Sequence, residues 1–291
     1  MRKSILVFTL LSLIAASGFA QTLAQLEAQM VQIAPQVLRA EGDSARMAAN
    51  GAFIALFEKA LADPKSLEYP FDSLVTISKL RPDDKSFRLF SWNMPRDNGS
   101  YSYFGYVQLK VPKTGEYKWV KLVDQSDQIQ TPESRFLNSK NWFGTHYYAI
   151  IQTSYKKQKF YTLLGVDFNN RSTRKKIIDC IIIDKYGGVS FGDNIFDYNK
   201  KSPKRIVFEY SAQASMSVRY NDDKGMIIYD HLSPMREGLE GQYQFYGPDF
   251  TYNALKFKKG KWVEIVDIDA KNDKTPNDKA PKEKPKMGLG N

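Results

Sequence analysis

Residues 159–184 read KFYTLLGVDFNNRSTRKKIIDCIIID, and this stretch decides the fold class. Two runs rich in β-branched and aromatic residues flank Asn169-Asn170, a pair suited to a turn. No helical rhythm lies between them, so they read as an antiparallel hairpin. Working outward, similar runs precede it (DSLVTISKL, SFRLFSWN, YSYFGYVQLKV, YKWVKLV, HYYAIIQTSY) and follow it (KRIVFEY, SMSVRY, GMIIYDH, FTYNALKF, KWVEIVDI). Turn chemistry separates them, as at Asp97-Asn98-Gly99, Lys113-Thr114-Gly115 and Lys258-Lys259-Gly260. About a dozen strands are too many for one open sheet. The expectation is a mainly β body over residues 66–269, made of antiparallel meanders near 72–123, 143–191 and 205–266. It closes as a sandwich, a barrel or a propeller-like array.

Residues 21–65 carry a helical rhythm instead. Leu23, Leu26, Met30 and Ile33 recur at helical spacing, and Pro35 is expected to interrupt the run. Met47, Phe53, Ile54, Phe57 and Leu61 form a second stripe, with Ser44 as the expected cap and Asp63-Pro64 as the stop. Gly51 lies in the middle of that helix, where glycine weakens it.

The first twenty residues read as an export signal. Arg2-Lys3, an apolar run from Ile5 to Ile14 and Gly18-Phe19-Ala20 follow the secretory order, with a cut expected after Ala20. The apolar run is too short to span a bilayer. Residues 270–291 are rich in Lys and Pro, lack aromatics and read as a disordered basic tail. The expected location is the periplasm or the exterior, with no transmembrane span in the mature chain.

The net charge is +10, of which the tail supplies +3 and Arg2-Lys3 supply +2. The remaining +5 is spread over the body, unlike the concentrated stripe of a nucleic-acid binder. Cys180 is the single cysteine and sits among isoleucines, where it behaves as a small hydrophobe.

Catalytic signals are weak. His146 and His231 are the only histidines, each on a strand-like run. Gly188-Val189-Ser190-Phe191-Gly192 matches a Gly-x-Ser-x-Gly pattern, but no helix is expected after Ser190, and a nucleophile elbow needs one. Residues 167–178 lack the Gly and the final Glu of a calcium loop, and no zinc-ligand spacing occurs. No cofactor and no metal is expected. A pair of carboxylates could hydrolyse a glycan without histidine, with Asp167, Asp193, Asp230, Glu237 and Glu240 as candidates, although no spacing selects a pair.

Aromatic residues make up 13% of the chain and cluster. One face of each aromatic strand must enter a core. The other is either covered by a second layer or displayed to a ligand or partner. The candidates for display are Trp92, Tyr103, Tyr106, Trp142, Tyr147 and Tyr246.

The wording of the C-terminal half, from KFYTLLGVDFNN through RIVFEYSAQASMSVRY to GQYQFYGPDFTYNALKFKKGKWVEIVDID, resembles a family of exported Bacteroidota proteins with no assigned chemistry. The resemblance implies a cell-envelope location in a Gram-negative cell and brings no functional residues. The expected function is that of a non-catalytic envelope protein binding a protein partner. A glycan-binding module using exposed aromatics and a carboxylate-dependent glycan hydrolase are the alternatives.

Overall fold

A computed structural model describes residues 21–269, so the expected export signal and basic tail lie outside the described residues. Helix α1 (Leu23–Arg39) opens with a reciprocal cap, in which Thr22 Oγ1 accepts from Gln25 N and the Gln25 side chain accepts from Thr22 N. Pro35 does not end this helix. It lies within the last turns, where burial of Ala34 and Val37 on the packed face outweighs one missing N–H. Helix α2 (Gly42–Leu61) starts before Ser44, which is therefore not its cap. Asp43 instead accepts from Asp97 N at 2.8 Å and pairs with Arg46, fastening the helix start to the first β-hairpin. Among the described residues no helix is long and apolar enough to cross a membrane.

The strands form three sheets in chain order. The first is β1 (Ser78–Leu80), β2 (Phe87–Pro95), β3 (Tyr101–Lys110) and β4 (Tyr117–Val123), antiparallel neighbours in sequence. The second holds β5 (Leu137–Asn138), β6 (His146–Tyr155), β7 (Gln158–Asp167), β8 (Thr173–Ile183) and β9 (Val189–Phe191). The third contains β10 (Phe196–Asp197), then β12 (Val218–Asn221), β13 (Met226–Pro234), β14 (Tyr246–Lys258) and β15 (Lys261–Ile265), with β11 (Ile206–Ser211) intervening in sequence. Among the strands of the described residues, β10 and β15 pair in parallel, and an isolated parallel bridge joins Asp124 to Trp142. The hairpin at 159–184 forms in the register from Tyr161↔Ile181 to Asp167↔Lys175.

The structure moves one expected strand. Residues 206–211 pair with β8, from Ile206↔Ile178 to Ser211↔Thr173, and so belong to the second sheet, not to the last meander. The cause lies in β8, whose pairing with β9 covers only Ile181–Ile183 and leaves the rest of that edge to be filled.

The sheets and helices stack as four layers with a core at each junction. The helices bury Phe53 and Phe57 against Phe90, Trp92 and Tyr106 of the first sheet. The opposite face of that sheet, with Phe87, Leu89 and Val107, packs on Leu163, Ile177 and Ile181 of the second. The second sheet then turns Leu164, Ile178 and Cys180 to Ile227, Leu255 and Trp262 of the third. Period-two alternation thus loads both faces of β2 and β8, which is why IIDCIIID is apolar almost throughout.

One charged pair lies inside the stack. Arg205 Nε donates to Asp179 Oδ2 at 2.8 Å, with side chains 0% and 1% exposed. The guanidinium also donates to the carbonyls of Pro132 and Arg135, the latter at 3.0 Å. Burial pushes the Asp179 carboxyl up against the pull of Arg205. Arg205→Ala leaves that carboxylate buried and unpaired, and is expected to cost about 3–5 kcal/mol in urea denaturation. The double variant Asp179→Leu/Arg205→Met is expected to recover most of that loss.

A second polar clamp joins the first two sheets. Asp84 accepts from Lys159 at 2.7 Å and Tyr161 at 2.8 Å, while its own N–H donates to Gln152. Partial burial works to raise the Asp84 carboxyl, but Lys159, Ser86 and Tyr161 outweigh it and hold it at about 2. A depressed carboxyl stabilises the fold above the unfolded value of about 4, and this is lost as pH falls towards 2. Asp84→Asn is therefore expected to cost about 1–2 kcal/mol at pH 7 and much less at pH 2.5, read from urea midpoints at both pH values.

Candidate functional site

Five of the six aromatic candidates lie in the cores. Trp92 and Tyr106 are buried between helices and first sheet, whereas Tyr103, Trp142 and Tyr147 are buried between the first and second sheets. Their polar tips are bonded inside the protein: Trp92 Nε1 to Asn50 at 2.9 Å, Tyr106 to Glu58 at 2.6 Å and Tyr103 to Asp167 at 2.8 Å. Trp142 donates to the Tyr147 hydroxyl at 3.2 Å. The second layer that a strand sequence alone leaves open is present, and it covers these rings. Tyr246 alone of the six is only half-buried, and it lines a groove.

The candidate reactive residues occupy different local settings. Ser190 sits within β9, paired with Asn138 and Ile182, and is followed by Gly192 and a turn, not by a helix. His146 is on β6, and burial lowers its imidazole. Cys180 faces the core below the third sheet, and burial pushes its thiol well up, away from the reactive thiolate. Asp167 is occupied by the Tyr103 hydroxyl and the Asn169 amide, and burial raises its carboxyl. Asp193 lines a small cavity with Cys180 and Ile195, far along the chain from Asp230, which accepts from Ser217 N at 2.7 Å. Glu237 and Glu240 lie on the exposed loop between β13 and β14. Among the described residues no group of three or more His, Cys, Asp or Glu could hold a metal ion.

The most unusual local geometry is in the β13–β14 hairpin. Asp230 pairs with Tyr252 and Leu232 with Pro248, so His231 alone opposes Asp249, Phe250 and Thr251. Such a bulge re-aims the extra side chains. Phe250 has φ 69° and is 90% exposed, a left-handed conformation that costs an L residue about 1–2 kcal/mol. Neighbours hold it there. Asp249 Oδ1 accepts from Thr251 N–H and Oγ1, and Asp249 Oδ2 meets His231 Nδ1 at 2.7 Å. Partial burial opposes ionisation of Asp249, but the bonds from Thr251 and His231 hold its carboxyl below its ordinary value.

The same hairpin displays further apolar area. Met235, Tyr243 and Phe245 are exposed, and Met235 N–H donates to the Phe245 carbonyl. On its inner side, Leu232, Tyr243 and Tyr246 line a groove of about 580 Å³ shared with Tyr198 and Phe208. Tyr246 also accepts from Gly241 N–H at 3.0 Å, which ties down the loop. The polar lining of the groove is of mixed sign, with Glu133 and Glu209 beside Lys201 and Arg205. Phe250 belongs to the aromatic run of residues 243–252, and its display comes from the register shift between Asp230 and Leu232, which no local sequence signal marks. Comparison with family models, curated proteins and solved structures gives no match.

If Phe250 is held against local preference, relieving the strain stabilises the free protein. Phe250→Gly is expected to raise Tm by about 2–4 °C, measured by differential scanning calorimetry. An unchanged or lower Tm would show that the bulge carries no strain.

Proposed function

We propose that this chain is a non-catalytic binding protein of the bacterial envelope and that its hairpin β13–β14 docks a protein partner. One observation carries the reading. Phe250 is presented almost wholly to water from a strained, braced bulge, an arrangement that costs stability and buries nothing within the chain. An aromatic anchor beside a groove, ringed by polar side chains, is the anatomy of a protein-binding hot spot. The envelope location rests on the charge, apolar run and small-residue order of residues 1–20. The burial of Cys180 and Asp167 and the placement of Ser190 within β9 with no helix after it support binding over catalysis.

A photoreactive phenylalanine analogue at position 250, expressed in cells of the native host, tests this. The expected outcome is one discrete heavier adduct containing a second protein, with no such adduct from Val75, which is also highly exposed. Adducts only with lipid, only with a second copy of this chain, or equal at both positions would refute the proposal.

A further inference from the structure

We infer that a second groove, between α2 and the first sheet, binds an uncharged oligosaccharide. Its volume is about 490 Å³, in the range of small-ligand sites. Asn50 and Gly51 of α2 line one side, the turn at 125–128 lines another, and Met94, Phe104 and Val123 supply apolar area.

Gly51 is the first reason. Glycine within a helix costs about 1 kcal/mol relative to alanine, so it normally answers a packing demand. Here a Cβ at position 51 meets nothing within 4 Å, and its φ is ordinary. The fold gains nothing from glycine at this point, but the groove does, because the helix backbone is left bare for a close-lying ligand.

Asn50 is the second. Its side chain is buried, and Oδ1 accepts from Trp92 Nε1 at 2.9 Å, which fixes the amide orientation. The Nδ2 donor has no hydrogen-bond partner among the described residues, while Asn50 lines the groove. This donor is not among the sealed unsatisfied side-chain atoms, so it opens to the groove with its orientation already fixed, ready to donate to a ligand oxygen.

Shape and charge set the ligand class. The half-buried Phe104 ring is stacked on Trp92 at 5.7 Å between centroids and 23° between planes, a rigid apolar platform. Gln125, Gln128 and Ser102 add neutral donors and acceptors around it. Arg96 and Lys121 are matched by Asp124 and Asp127, so the lining favours neither charge sign. Asp124 is moreover consumed as a wall brace, accepting from Tyr103 N–H, Ser126 N–H and Ser126 Oγ. An apolar platform ringed by amides and hydroxyls, without net charge, suits a ring with an apolar face and equatorial hydroxyl groups.

The test is titration calorimetry of the full mature protein with maltotriose, cellotriose, laminaritriose and triacetylchitotriose, alongside dodecanoate. At least one trisaccharide is expected to bind saturably. Gly51→Ala is expected to raise Tm by about 2–4 °C. Gly51→Leu is expected to fold with an undiminished Tm yet weaken the trisaccharide at least ten-fold, by filling the groove. Crosslinking from position 250 is expected to survive both variants, which separates this site from the hairpin. The inference fails if no trisaccharide binds, if Gly51→Leu leaves binding intact, or if only dodecanoate binds in a Gly51→Leu-sensitive way.

Discussion

The Asp179–Arg205 pair locks the turn at 132–135 onto the place where β11 begins its pairing with β8. Asp179 points from β8 into the junction between the first two sheets, Arg205 stands at the entry to β11, and its guanidinium holds the carbonyls of Pro132 and Arg135. A lone charge in such a place is expensive, and the geometry around it is correspondingly constrained. Gly192 shows the constraint. It has φ 85°, and a Cβ there would lie 2.8 Å from Arg205 Nη2. The last glycine of the Gly-x-Ser-x-Gly pattern thus serves packing against a guanidinium.

From this pair outward, the architecture follows from layering. Each of the first two sheets is covered on both faces, so aromatic residues on alternating positions of one strand enter two different cores. Trp92 faces helices while Ser91 faces the second sheet and accepts from Tyr147 N–H at 3.0 Å. The protein therefore has few aromatic faces left to show. Those that remain sit where layering ends, at Phe136 before β5, at Tyr186 in the β8–β9 turn and on the outer hairpin at Tyr243, Phe245 and Phe250.

The β class, the central hairpin, the two helices and most turns were legible because period-two alternation and turn residues are local signals. What was not legible depended on contacts distant in sequence. Pro35 reads as a stop, yet packing of Ala34 and Val37 carries the helix past it. Residues 206–211 read as the start of a new meander, yet the vacant edge of β8 captured them. Five of the six aromatic candidates are covered for the same reason, since no single strand reveals that a second layer lies above it. Gly51 was visible only as a defect in a helix, and its meaning required the empty space beside it.

Layer order along the chain has a consequence for synthesis. Each core closes between neighbours in sequence, so the helices and the first two sheets have their partners before the last sixty or so residues are made. Until β13, β14 and β15 arrive, the far face of the second sheet stays uncovered, with Ile178, Phe208 and Cys180 on it. A chain truncated or stalled at that stage exposes a sticky apolar sheet and the molecule's single thiol together. The thiol that is inert in the finished protein is thereby a reporter of the unfinished one.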